Sequence, residues 1–149
     1  AFSRRVDELK RVVSGSIAAI DELVASIDAI KESIIQSTAD ATLYESAVSI
    51  SQRAQRLRDR LTINQARERM SDLGPVPIDH RLGVAGYGMR ISAYGPTENH
   101  ARSLEIANEE FLEVRPALDR LIDEEFQALK EKLDSAGVPW TPGRDVPLP

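Results

Sequence analysis

Two clusters of acidic residues are the side chains in this sequence with the most obvious capacity for chemistry: Glu109, Glu110 and Glu113, and then Asp123–Glu125. Carboxylates that project into a helical bundle hold two metal ions when two of the helices also carry a Glu-x-x-His motif. Neither histidine of the chain, His80 or His100, has an acid three positions earlier. The metal-binding motif is therefore missing, and we expect the acids to form a solvated face.

A glycine-rich stretch, Gly83-Val-Ala-Gly86-Tyr-Gly88, has the spacing of a phosphate-binding loop. It lacks both the preceding strand and the lysine that such a loop needs, so we expect it to mediate close contact between helices instead. The chain has no cysteine, which excludes disulfides, thiol catalysis and Cys-zinc sites. It also has no Gly-x-Ser-x-Gly motif. We therefore expect no enzymatic activity and assign no catalytic, cofactor-binding or metal-binding residue.

Charge is distributed unevenly along the chain. Residues 51–70 carry six arginines and two acids, whereas residues 98–134 carry eleven acids and five basic residues. The whole chain has a net charge of −5 and an isoelectric point near 5.1, so we expect these two segments to pair with each other and expect no nucleic acid partner. No apolar run approaches the ~20 residues that span a bilayer, so we expect no membrane partner.

Helices are the elements that position these side chains. Ten positions in the first part of the chain follow one another in steps of four and three, and nine of them are apolar, which predicts a helix over residues 2–36. Because this stripe is apolar over nearly its full length, we expect part of it to remain available to a partner or a second copy. The ten positions are Phe2, Val6, Leu9, Val13, Ser16, Ile20, Leu23, Ile27, Ile30 and Ile34.

Three further helices are predicted downstream. A second stripe, from Leu43 to Leu61, predicts a long helix over 39–70. A short helix over 79–93 follows, with Asp79 as its N-cap, and a third long helix over 97–136 follows that, with Thr97 as its N-cap. We therefore expect an all-α antiparallel helical bundle.

The last long helix carries an irregular stripe. Its apolar positions around Leu118, Ile122 and Phe126 are spaced by consecutive fours, and Pro116 lies just before them, so we expect a bend there. We expect the bundle to occupy residues 1–137 and an extended, proline-rich tail to occupy residues 138–149.

Three aromatic residues lie outside the apolar stripes. We expect Tyr87, Tyr94 and Trp140 to form one cluster that covers an end of the bundle.

Several segments together carry a resemblance to a known class of proteins. They are Arg56–Leu61, Arg81–Gly88, Gly95-Pro96-Thr97, Ser103–Phe111 and Ala136–Pro139. They resemble the C-terminal helical region of large bacterial proteins of the glycosyl-hydrolase type, which are built on Asp-box or sortilin-type β-propeller repeats.

The resemblance implies that any sugar or peptide chemistry belongs to the propellers of a parent protein. The present chain is then an appended, non-catalytic module that docks on its own parent propeller or assembles with a second copy. The parent is expected to be exported, to the periplasm or beyond. The chain begins at Ala1, and we expect it to be a processed or excised piece. The alternative is a free-standing bacterial four-helix bundle that binds a small ligand or a partner helix.

Overall fold

The computed structural model describes residues 1–72 and 74–149, and every regular element among them is helical. The last three elements follow one another without interruption, so the chain has three long helical runs. The prediction of an all-α helical bundle is confirmed. The elements are α1 (Phe2–Ile35), α2 (Ala41–Leu61), α3 (Gln65–Arg69), α4 (Ile78–Ile91), α5 (Glu98–Arg120), a π-helical segment (Leu121–Phe126) and α6 (Gln127–Ser135).

The chain is divided into two compact units. The first unit consists of Ala1–Ala18 and Leu57–Pro116, and the second consists of Ala19–Arg56 and Ala117–Pro149. The first unit therefore contains α3 and α4, whereas the second contains the π-helical segment, α6 and the proline-rich tail.

The apolar stripe of α1 is buried almost throughout. Nine of its ten positions are buried and Phe2 is half-buried. The polar member, Ser16, donates its hydroxyl to the carbonyl oxygen of Val12 at 2.8 Å, so its burial leaves no unsatisfied polar group. Because the stripe is covered within the chain itself, the expectation that it leaves an apolar face for a partner is wrong.

The predicted helix over 39–70 is interrupted. Helix α2 ends at Leu61, and α3 begins after Asn64, whose side-chain oxygen accepts hydrogen bonds from the backbone N–H groups of Ala66 and Arg67 at 3.1 and 3.2 Å. Asparagine is among the strongest N-cap residues, so it favours a new helix start over continuation of the old one. Apolar spacing alone does not reveal this cap, so the predicted helix was too long.

The last helical run departs from α-helical geometry, but not at its proline. Helix α5 continues through Pro116, and the irregular part begins at Leu121. Leu121 is buried there and Ile122 only half-buried, so the prediction that Ile122 belongs to the stripe is wrong. The step from Leu121 to Phe126 is five residues, which is the i to i+5 spacing of π-helical hydrogen bonds. The π-helical turn contains one residue more than an α-helical turn. The buried stripe therefore continues from Leu118 through Leu121 to Phe126, where the sequence suggested consecutive steps of four.

The tail is held by a buried arginine. The Arg144 guanidinium donates to Asp134 Oδ1 at 2.6 Å and to the carbonyl oxygen of Pro139 at 2.6 Å. Trp140 donates its indole N–H to the carbonyl oxygen of Arg144 at 2.7 Å. Gly137 ends α6 with φ +70°, as predicted. These contacts fold the tail into the second unit although it has no regular secondary structure.

The predicted aromatic cluster is wrong. Tyr94 is fully exposed and Tyr87 is largely exposed, so neither ring is buried in a cluster. Trp140 remains half-exposed, and its indole is bound to the tail backbone as described above. The three residues lie outside the core because the aliphatic stripes fill it without them.

Candidate interaction surface

Helix α4 is apolar on two opposite sides. Ile78, Leu82 and Ala85 are buried on its inner side. On the opposite side, three apolar or aromatic residues in steps of three and four remain exposed, and Tyr94 is exposed in the connection that follows the helix. We call these four residues the α4 outer face: Val84, Tyr87, Ile91 and, just beyond the helix end, Tyr94.

The inner side of α4 is held close to α1 and α5, within the first unit. A Cβ atom added at Gly86 would lie 2.8 Å from Lys10 Nζ, and one added at Gly88 would overlap the His100 ring. The prediction that the glycine-rich stretch makes close helix contacts is therefore confirmed at these two positions. It is wrong at Gly83, where a Cβ would meet nothing within 4 Å.

Polar contacts fix the side of α4 that lies against α5. Ser103 donates its hydroxyl to the carbonyl oxygen of Arg81 at 2.9 Å. The Nε of Arg81 lies 3.4 Å from Glu110 Oε2, in an ion pair that lacks hydrogen-bond alignment. Both contacts are partly buried, which orients α4 and so keeps its outer face directed away from the core.

Tyr94 lies in the tight connection between α4 and α5. Its backbone N–H donates to Ser92 Oγ at 3.3 Å, and Gly95 follows with φ +88°, a conformation that glycine adopts without strain. Thr97 then caps α5: Thr97 Oγ1 accepts from the His100 N–H at 3.4 Å, and His100 Nδ1 accepts from the Thr97 N–H at 3.1 Å. This reciprocal pair is a capping box in which histidine replaces the usual Glu or Gln.

The prediction of Thr97 as an N-cap is thus confirmed. The prediction of Asp79 as the N-cap of the short helix is wrong, because Pro77 precedes the first helical residue, Ile78, and no side chain caps this end. Asp79 instead lies in the first turn, where its negative charge interacts favourably with the helix dipole.

The exposed fractions of the outer face are large for apolar side chains. They are 43% for Val84, 62% for Tyr87, 64% for Ile91 and 102% for Tyr94. At about 150–250 Å² for an aromatic side chain and less for an aliphatic one, the four residues together expose on the order of 400 Å². Patches of this size on soluble proteins commonly mark interaction sites.

This surface was not predicted, although the sequence contains a signal for it. The spacing of Val84, Tyr87, Ile91 and Tyr94 is the same three-four pattern that identified the long helices. The pattern was assigned to one buried face through Leu82 and Ala85, and the second apolar face of the same helix was not considered.

Three of the six acidic residues considered for metal binding, Glu110, Glu113 and Glu125, instead form ion pairs. Arg53 Nη1 contacts both carboxylate oxygens of Glu125 at 2.5 and 2.6 Å, and Arg60 Nη2 contacts Glu113 Oε2 at 2.8 Å. The predicted pairing of the arginine-rich and acidic segments is confirmed by these contacts. Within residues 1–72 and 74–149, no group of three or more His, Cys, Asp or Glu side chains is arranged to hold a metal ion.

Concave surfaces are present in both units. A cavity of about 20 Å³, the space of a single water molecule, lies beside Asp59, Asn64 and Arg67. An open groove of about 410 Å³ runs between α1 and α5 over Leu9, Leu104 and Phe111. In the second unit, an open groove of about 470 Å³ follows α2 and α6 beside the Arg53–Glu125 pair.

Among the described residues, no helix has the length and hydropathy required to cross a lipid bilayer. Comparison of the chain with protein-family models, with curated proteins and with solved structures found no match in any of the three.

Proposed function

We propose that this chain is a non-catalytic interaction module that acts through the α4 outer face. One observation carries the proposal: an amphipathic helix normally buries its one apolar side, whereas α4 buries one apolar side and exposes another. Keeping two tyrosines, a valine and an isoleucine in water gives no advantage to an isolated domain, so a contact that covers them accounts best for their presence.

The residue types of the surface fit this role. Tyrosine is enriched in protein interfaces because a large ring is ordered at little entropic cost and its hydroxyl still finds a polar partner. Helix α4 is also held by Arg81, Gly86 and Gly88, so the outer face needs little reorganisation on binding. The resemblance to propeller proteins supplies the setting: the module is appended to a glycosyl-hydrolase-like parent, where it docks or assembles.

A second candidate function is the binding of an amphipathic partner helix by a free-standing bundle. The groove between α1 and α5 supports it, because Leu9, Leu104 and Phe111 form an apolar floor. The charged residues that line the groove, Arg5, Arg11 and Glu8, leave it with a net positive charge. An acidic amphipathic helix is the matching partner. In this case Leu112→Asp, at the exposed edge of the groove, abolishes binding and Ile91→Asp does not.

The test requires the parent's propeller portion, which this proposal places upstream in the same reading frame. The chain is mixed with that portion, and heat of binding is measured for the wild type, for Ile91→Asp and for Ile35→Asp. Ile35 is a matched control because it is also an exposed isoleucine but lies at the end of α1. The exposed fraction is 70% for Ile35 and 64% for Ile91.

We expect Ile91→Asp to abolish binding to the propeller, or to a second copy, while Ile35→Asp binds as the wild type does. A wild-type chain that binds neither the propeller nor itself contradicts the proposal. A reading frame that encodes no propeller contradicts the proposal that this module is appended to a propeller protein.

A further inference from the structure

We propose that the partner of the α4 outer face is a second copy of this chain, with the two α4 helices antiparallel across a two-fold axis near Tyr87. The inference rests on the proposed function and names the partner for the same surface. A two-fold contact requires one patch to be complementary to itself, and both the apolar spacing and the charges of α4 meet that requirement.

The outer members of the stripe within the helix, Val84 and Ile91, are equally far from a point between Tyr87 and Gly88. In an antiparallel pair centred at that point, Val84 faces the partner's Ile91, and Ile91 faces the partner's Val84. The two Tyr87 rings meet close to the axis. Steps of three and four are those of helices that pack side by side through side chains interlocked along a seam. Val84, Tyr87 and Ile91 thus each have an apolar or aromatic partner in the second copy.

The charges select the antiparallel orientation. Asp79, Gly83, Gly86 and Arg90 follow one another in steps of four, three and four, and so form one row along α4. Gly86 in this row is buried beside Lys10 of α1, so the row lies between the outer face and the inner side of the helix. The row is acidic at its start and basic at its end. In an antiparallel pair the same flanks of both copies meet, which brings Arg90 of each copy toward Asp79 of the other. Neither residue has an ion-pair or hydrogen-bonding side-chain partner among the described residues.

Gly83 provides the space for this contact. It lies between Asp79 and Arg90 in the row, and a Cβ there would meet nothing within 4 Å. In the register that pairs Val84 with Ile91, the partner's Arg90 is level with Ala85, about 9 Å along the axis from Asp79. Its extended side chain passes Gly83 on the way toward that carboxylate. The antiparallel arrangement also opposes the two helix dipoles, which is electrostatically favourable.

The surface is small for a protein interface, which limits the affinity of the two copies for each other. The outer face offers on the order of 400 Å² of apolar area per copy, against about 800 Å² per partner in a standard interface. The pair is therefore a weak, reversible dimer. Such a dimer forms at high local concentration, for example when the module is part of a larger assembly.

Sedimentation velocity over a concentration series tests the inference. We expect the wild type to pass from monomer to dimer, Ile91→Asp to raise the dissociation constant at least tenfold, and Ile35→Asp to leave it unchanged. Circular dichroism of each variant verifies that the helices remain folded. A wild type that stays monomeric at 1 mM, or an equal loss in Ile35→Asp and Ile91→Asp, overturns the inference.

A charge exchange tests the orientation. Arg90→Glu and Asp79→Lys each place like charges together, so each variant alone dimerises at least threefold more weakly than the wild type. An equimolar mixture of the two restores opposite charges at both contacts, and we expect it to form a heterodimer with near wild-type affinity. Failure of the mixture to associate better than either variant alone overturns the antiparallel arrangement.

These results are separable from failure of the proposed function. A chain that stays monomeric but binds the parent's propeller through Ile91 overturns only the choice of partner. A chain that binds neither overturns both.

Discussion

Gly88 on α4 lies directly against the imidazole ring of His100 on α5, so closely that a Cβ atom at position 88 would overlap the ring. His100 is itself fixed by its reciprocal hydrogen bonds with Thr97 at the start of α5. The two residues thus join the helix that carries the outer face to the cap of the next helix. The requirement for glycine here is steric, because Gly88 lies within a regular helix.

Two glycine substitutions in α4 are expected to act in opposite directions. Gly88→Ala forces the His100 ring from its position and lowers the free energy of unfolding by about 1–2 kcal/mol, although alanine is the better helix former. Gly83→Ala meets open space and raises the free energy of unfolding by about 0.5–1 kcal/mol. Urea denaturation at a few micromolar protein, below the range of dimerisation, measures both.

The contact with His100 is isolated by a double-mutant cycle. In a His100→Ala background the ring is absent, so Gly88→Ala no longer destabilises the protein and the two changes are non-additive. An unchanged cost of Gly88→Ala in that background would show that something other than the ring opposes a side chain at position 88.

The π-helical segment predicts unequal effects at two neighbouring residues. Leu121 is buried and Ile122 is half-buried, so Leu121→Ala costs about 2–4 kcal/mol and Ile122→Ala about 1 kcal/mol. In a regular α-helix with the predicted stripe, Ile122 is buried and Leu121 is not, so Ile122→Ala is the more costly change. Thermal or urea unfolding of both variants distinguishes the two arrangements, and a larger cost for Ile122→Ala contradicts the π-helical turn.

The tail depends on Arg144. Arg144→Met removes the hydrogen bonds to Asp134 and to the carbonyl oxygens of Pro139 and Val138, and we expect a loss of about 2–3 kcal/mol. At this chain length the loss corresponds to a melting temperature about 6–10 °C lower. Arg102→Met is the control, because Arg102 is mostly exposed and its i,i+3 pair with Glu105 contributes a few tenths of a kcal/mol. Equal melting temperatures for the two variants would mean that the tail does not contribute to the stability of the second unit.

The long helices could be predicted from the sequence because their apolar spacing is decisive. The stripe from Val6 to Ile34 is buried position by position, and the three long helical runs follow from such spacing. Burial of aliphatic side chains is the dominant favourable contribution to folding, so a regular stripe outweighs local preferences.

The remaining features depend on contacts that spacing does not reveal. The break after Leu61 follows from one side-chain cap at Asn64, and the shift from Ile122 to Leu121 follows from a single extra residue in the helix. The outer face of α4 was overlooked because a helix with two apolar sides gives no unique inward direction. Which side is buried became clear only from the contacts of Gly86 and Gly88 with their neighbours.

Disulfide trapping tests the central claim, that two copies meet through antiparallel α4 helices, most directly. The chain has no cysteine, so Val84→Cys and Ile91→Cys each introduce a single thiol. When chains bearing the two changes are mixed and mildly oxidised, we predict a dimer that links position 84 of one chain to position 91 of the other. It should form faster than the dimer of an Ile35→Cys control at the same concentration. Cross-linking of the mixture at the rate of the control would contradict the account.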